Sequence, residues 1–100
     1  MSPIRRGDVF RIRLDPGVGN EIRKTRPGVV VSNDQACRFD TVVQIVPVTG
    51  LSDRPLRRYE ARLSSSGSGL TKPSRAVTNQ IRTVAKNALS RESVISRIPR

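Results

Sequence analysis

The chain is expected to be mainly β, folded as one small barrel or compact sandwich with one or two short helical turns. Three observations predict this. Apolar residues come in short runs of Val, Ile and Leu separated by Gly, Pro, Asn, Asp and Ser, the pattern of brief strands joined by turns. Aromatics are scarce, with Phe10, Phe39 and Tyr59 and no Trp, so the core must be built from aliphatic side chains, among which the β-branched ones favour a pleated sheet. A length of 100 residues suits a single domain over 1–100 with a modest single core, and no internal repeat is visible.

Taken in order, Gly7-Asp8 opens a strand over Val9 to Leu14. Phe10, Ile12 and Leu14 share one face and Arg11 and Arg13 the other, the alternation of a half-buried strand with a basic outer side. Asp15 to Thr25 is charged, Gly-rich and aperiodic, and a long ordered loop of this kind is often a binding loop. Gly28 to Ser32 reads as the second strand, and Asn33 to Asp40 as a helical turn capped by Asn33 or Asp34. Thr41 to Val48 is a third strand whose apolar run is nearly continuous. Leu51 to Arg58 is a basic loop, Tyr59 to Leu63 a short strand and Ser64 to Pro73 a flexible loop. Ala76 to Val84 is a strand interrupted by Asn79-Gln80, Lys86 to Leu89 a helical turn and Val94 to Ile98 a last strand.

Composition excludes several classes. The chain has no His and one Cys. The usual zinc sites, imidazole acid–base catalysis and His-dependent nucleophile systems are therefore not available, nor is a disulfide framework. Cys37 beside Arg38 reads as a half-buried bystander near a turn. No metal or cofactor is expected. No apolar run reaches the length of a membrane span or a signal sequence, and nothing points away from a cytoplasmic chain. Basic residues outnumber acidic ones 19 to 8. Of these, 8 basic and 6 acidic lie in residues 1–53, against 11 and 2 in residues 54–100. A surface so biased attracts polyanions, and Arg used in preference to Lys favours forked contacts to phosphate. Nucleic acid is the expected partner.

Two strand ends stand out as places for a polar site. In Arg26-Pro27-Gly28-Val29-Val30-Val31-Ser32-Asn33-Asp34, Pro27 forces Arg26 toward an extended conformation at the mouth of an apolar strand. In Val46-Pro47-Val48-Thr49-Gly50, a second apolar strand ends on a hydroxyl and a glycine.

Those two segments, with Arg6-Gly7-Asp8-Val9, Gly19-Asn20-Glu21 and Asn79-Gln80-Ile81-Arg82-Thr83-Val84, fall in the order and spacing of the MazF/PemK toxins of type II toxin–antitoxin systems, and the chain resembles that family over nearly its whole length. The resemblance implies an SH3-like barrel that forms a homodimer. It implies a sequence-specific, metal-independent endoribonuclease acting on single-stranded mRNA, held inactive by an acidic, MazE-like antitoxin. By position, Arg26 and Thr49 match the family's catalytic Arg and Thr. Glu21 matches a loop acid that several members carry near the site, Asn20 adjoins it, and Asn79 and Gln80 fall in the segment behind. Two departures stand out. Asn79 occupies the place of an Asp that one branch is thought to use as a base, and an amide cannot remove a proton. Family chains also usually continue into a C-terminal helix, so a chain that stops at Arg100 is expected to be a short or trimmed member.

The residues fit that chemistry independently. RNA carries its own nucleophile in the 2′-OH, so the protein must align it, offset charge on a phosphorane-like transition state and manage two protons. Charge stabilisation is usually the larger effect. Arg26 suits it because its fixed donors can span two phosphate oxygens, and Thr49 adds a neutral hydrogen bond. Glu21 is the acid–base candidate, or else a structural partner of Arg23 or Lys24. Arg82 is either a second phosphate clamp or a structural support beneath the site. Arg54, Arg57, Arg58 and Arg62 form either a solvated face or a track for RNA. Two other functions stay open on sequence alone: a toxin of the same fold that poisons DNA gyrase without catalysis, and a non-enzymatic nucleic-acid-binding module. The second would usually want exposed aromatics for base stacking.

Overall fold

The computed structural model describes residues 4–14, 25–63, 70 and 72–89, with residues 94–97 as backbone. The strands are β1 (Asp8–Arg13), β2 (Thr25–Val30), β3 (Val42–Gly50), β4 (Glu60–Leu63), β5 (Ser74–Val77), β6 (Arg82–Ala85) and β7 (Val94–Arg97). A short helix α1 (Asp34–Phe39) joins β2 to β3, and 3-10 turns occupy Thr78–Gln80 and Lys86–Ala88. The class is mainly β, as expected. Strand order is β4-β5-β3-β2-β1-β7 with β6 also on β3. Every pairing is antiparallel, and the path does not close on itself among the described residues.

β3 organises the molecule. Ile45 pairs with Val30 of β2 on one edge and with Arg82 of β6 on the other. Farther along, Val48, Thr49 and Gly50 pair with Ala76, Arg75 and Ser74 of β5. β5 and β6 thus follow one another along a single edge of β3, and the turn at Thr78–Gln80 carries the chain between them. The stretch expected as one interrupted strand is one arm of two strands, and it begins at Ser74 rather than Ala76.

The apolar interior forms two clusters on the two faces of the sheet instead of the single core expected. Phe10, Ile12, Leu14, Val30, Val43, Ile45, Cys37 and Leu89 make the first. Val9, Val46, Val48, Leu70 and Ala76 make the second. Because side chains alternate across a strand, a strand covered on both faces needs apolar residues in succession, which is why β3 runs apolar and buried from Ile45 to Val48. Burying a side chain such as Ile12, with 0% exposure, stabilises the fold by about 1.5–3 kcal/mol.

Local signals set the ends. Gly7 sits at φ 94°, where a Cβ is strained, and its N–H donates to the Val30 carbonyl at 2.8 Å. Asn33 caps α1, its Oδ1 accepting from the Ala36 N–H at 2.9 Å. β2 starts at Thr25, three residues before the expected Gly28, so Arg26 and Pro27 lie inside the strand. Among the described residues, no helix is long and apolar enough to cross a membrane.

Candidate active site

The β2–β3 ladder ends at the pair Gly28↔Pro47. Arg26 and Thr49 each lie two residues beyond that last pair, at the adjoining ends of neighbouring strands, and past it β3 pairs with β5 in a second sheet. Both project on the face that carries Val30 and Ile45, at the rim of the first apolar cluster. Arg26 is exposed, while on its other side β2 is held to β1 by Ile12↔Arg26. The side chain is therefore free in solvent on a fixed backbone. Gly28 allows the packing behind it, since a Cβ there would stand 2.7 Å from Ile12 Cδ1. The two residues read from separate strand ends thus lie at the adjoining ends of one ladder.

Across the other edge of β3, Thr49 pairs with Arg75 of β5, and Arg75 pairs with Arg62 of β4. Paired residues point to the same face, so Thr49, Arg75 and Arg62 form a row across three strands spaced about 4.8 Å apart. Two buried side-chain polar atoms lack a hydrogen-bond partner among the described residues, and they are Thr49 Oγ1 and Arg75 Nε. Buried polar groups are nearly always satisfied, and exceptions gather where a ligand is expected.

Glu60 anchors the row. Its carboxylate accepts both arms of the Arg54 guanidinium, at 2.8 and 2.7 Å, and the Arg57 backbone N–H at 2.9 Å. Arg75 Nε lies 3.1 Å from Glu60 Oε2, within ion-pair range but without hydrogen-bond alignment. Only 2% of the Glu60 side chain is exposed. The Arg54 fork, the Arg57 N–H and the nearby guanidinium charges hold the Glu60 carboxyl down to about 2. It stays ionised at any physiological pH, and Arg54 is pushed up in turn by the same hydrogen bonds.

The remaining candidates fall around this row. Arg54, read from sequence as part of an RNA track, is engaged with Glu60. Arg57 and Arg58 are exposed in the loop before β4, and Arg62 is exposed on it. Asn79 is exposed and Gln80 half-buried on the turn between β5 and β6. That turn is tied down by Thr78, whose N–H and hydroxyl both donate to the Tyr59 carbonyl. Arg82 is half-buried and donates to the Leu14 carbonyl at 3.3 Å, steadying the chain where it enters the 15–24 segment. Asn20 and Glu21 lie outside the described residues. Sequence reasoning missed Arg75 and Glu60. Their signal was a charged residue in each of two short strands, Glu60-Ala61-Arg62-Leu63 and Ser74-Arg75-Ala76-Val77, but only the register shows that they meet beside Thr49.

A guanidinium and a hydroxyl at the adjoining ends of neighbouring strands have the chemistry to hold a tetrahedral anion such as phosphate. Comparison with known proteins gives the family and the fold. The chain belongs to the family of PemK-like, MazF-like toxins of type II toxin–antitoxin systems, whose model matches residues 5–100. It is 37% identical over 93 residues to the endoribonuclease MazF9 of Mycobacterium tuberculosis, covering 88% of this chain and 78% of that protein. It is 33% identical over 86 residues to the endoribonuclease MazF of Staphylococcus saprophyticus, covering 86% and 72%. The fold resembles that of MazF from Deinococcus radiodurans, with TM-score 0.78 and 18% identity over 99% of this chain and 84% of that one. It also resembles a mycobacterial endoribonuclease solved in complex with its cognate antitoxin, with TM-score 0.74 and 23% identity over 96% and 80%.

Proposed function

We propose that this toxin is a metal-independent endoribonuclease that cuts single-stranded RNA by attack of the 2′-oxygen on the adjacent phosphorus. It works as a cytoplasmic homodimer and is neutralised by an acidic antitoxin. The single observation that supports the mechanism is the Thr49 hydroxyl, buried without a hydrogen-bond partner among the described residues, on the strand next to the one that carries the exposed Arg26. As the 2′-O–P bond forms and the P–5′-O bond breaks, one proton leaves the 2′-OH and one is delivered to the 5′-oxygen. The products are a 2′,3′-cyclic phosphate and a 5′-OH. Charge grows on the non-bridging oxygens, which the Arg26 fork spans while Thr49 donates to one of them. Asn79 is an amide and cannot accept the proton, and the carboxylate of Glu21 is the candidate for that role.

The two curated relatives are named as endoribonucleases, and a chain without His has arginine and lysine side chains to meet the phosphate's charge. The test is incubation with a long single-stranded RNA in EDTA, followed by end analysis. Cleavage is expected to persist in EDTA, to leave 5′-OH ends, and to vanish when the nucleotide on the 5′ side of the cut is 2′-deoxy. Ends carrying a 5′-phosphate would overturn the mechanism.

A further inference from the structure

The geometry points to Arg75 as a second phosphate-binding guanidinium of this site, with Glu60 as the residue that positions it. The place of the RNA rests on the ribonuclease reading. The assignment of Arg75 rests on three structural observations. First, Arg75 pairs with Thr49 directly across the β3–β5 ladder, so it is the cross-strand neighbour, on the same face, of the residue assigned to the scissile phosphate. Second, the two unsatisfied buried polar atoms found among the described residues belong to this one facing pair. Third, Arg75 also faces Arg62 on its other side. Like charges directly opposite one another destabilise a sheet, and a local conflict of this kind is expected where function requires it.

Glu60 explains how the conflict is held. It grips Arg54 through a fork and stands in ion-pair range of Arg75 Nε. The contact at Nε fixes the stem of Arg75. One terminal nitrogen reaches only Ser52 Oγ, at a long 3.4 Å. Its remaining terminal donors have no partner among the described residues. They are available to the phosphate neighbouring the one assigned to Arg26 and Thr49. Arg54 is the structural half of the cluster and Arg75 the half that meets substrate, which reverses the weight that the sequence alone places on Arg54.

The test uses the full chain and an RNA made uncleavable by a 2′-deoxy nucleotide at the cut. Arg75→Gln keeps an amide for Glu60 but removes the charge. It should weaken binding by about 10- to 100-fold and lower the slope of log affinity against log salt by about 0.7. Arg75→Lys should keep the slope but lose affinity, because a point charge does not replace the fork. Glu60→Gln removes no cation, so binding and slope should hold or strengthen. Cleavage at saturating RNA should still fall by about tenfold or more from misplacement of Arg75, a split that a purely structural role would not produce. Thermal unfolding of each variant confirms that it is folded. If folded Arg75→Gln and Arg75→Lys both bind with wild-type affinity and slope, Arg75 serves only Glu60 and the assignment falls, whether or not the protein cuts. If the wild-type protein binds but does not cut, the ribonuclease reading falls and the salt slopes still decide the role of Arg75.

Discussion

At the scale of single residues, Thr49 separates the demands of stability from those of chemistry. Its hydroxyl is buried without a partner, and an unsatisfied buried polar group costs about 1–3 kcal/mol. Thr49→Val keeps the β-branched shape and removes the unsatisfied atom, so it should leave the melting temperature unchanged or raise it. The same change should lower RNA cleavage by about 10²-fold or more if the hydroxyl donates to the transition state. Arg26→Ala should show a loss of the same order with stability intact, because Arg26 is exposed and engages no hydrogen bond among the described residues. Arg26→Lys should fail as well, since the fork is what matters. Calorimetry and initial cleavage rates on the same preparations check this. A Thr49→Val protein that melts lower and still cuts at the wild-type rate would make Thr49 a packing residue.

At the scale of the strands, the sequence reveals the hydrophobic pattern and hides the register. The long apolar run of β3, the alternation in β1 and the Asn33 cap of α1 are all legible because each depends on neighbours in the chain. The start of β2 is not. Pro27 reads as a boundary, yet it lies within the strand, because the ladder to β3 stops at Gly28 and leaves Pro27 paired only with Arg11 of β1. There its missing N–H faces an edge, where Pro is tolerated. Ser74 and Arg75 likewise look like loop, since only pairing with β3 and β4 makes them strand. For the site, Arg26 and Thr49 are legible as strand ends, whereas the Glu60 cluster depends on contacts between β4, β5 and the preceding loop that no spacing encodes. Gly28 gives the register a direct test. A Cβ there meets Ile12 Cδ1 at 2.7 Å and Ile45 Cδ1 at 3.4 Å. Gly28→Ala should therefore destabilise by about 1–3 kcal/mol through overpacking. Ile12→Val removes the Cδ1 methyl that obstructs it, so the double variant Gly28→Ala/Ile12→Val should be more stable than the two single losses added together predict. Strict additivity in denaturant titrations would mean that the two side chains do not meet.

At the scale of the whole molecule, charge is distributed so that the half of the chain contributing β4, β5 and the loop before them carries most of the excess. Residues 54–100 hold 11 basic side chains against 2 acidic ones. Much of what looks like a uniform basic track is divided by Glu60 into two kinds of arginine. Arg54 is engaged in a fork and Arg75 is held by its stem, while Arg57 and Arg58 stand exposed beside them. Exposed arginines set long-range attraction and salt dependence; an arginine forked to a buried-edge carboxylate sets local order. The same exposed set would give an acidic, disordered inhibitor its fast encounter, since complementary charge acts chiefly on the association rate. Replacing Arg57 and Arg58 together with Gln should therefore reduce the salt slope for uncleavable RNA by about 0.7 per arginine, with little change in melting temperature. Arg54→Gln should behave in the opposite way, lowering the melting temperature because it leaves the Glu60 carboxylate without its fork, while changing the salt slope less than the loss of either exposed arginine. Fluorescence anisotropy over a salt series, paired with thermal unfolding, reads both quantities. Equal slopes for all three arginines would erase the division that Glu60 makes and return the basic half to a single undifferentiated surface.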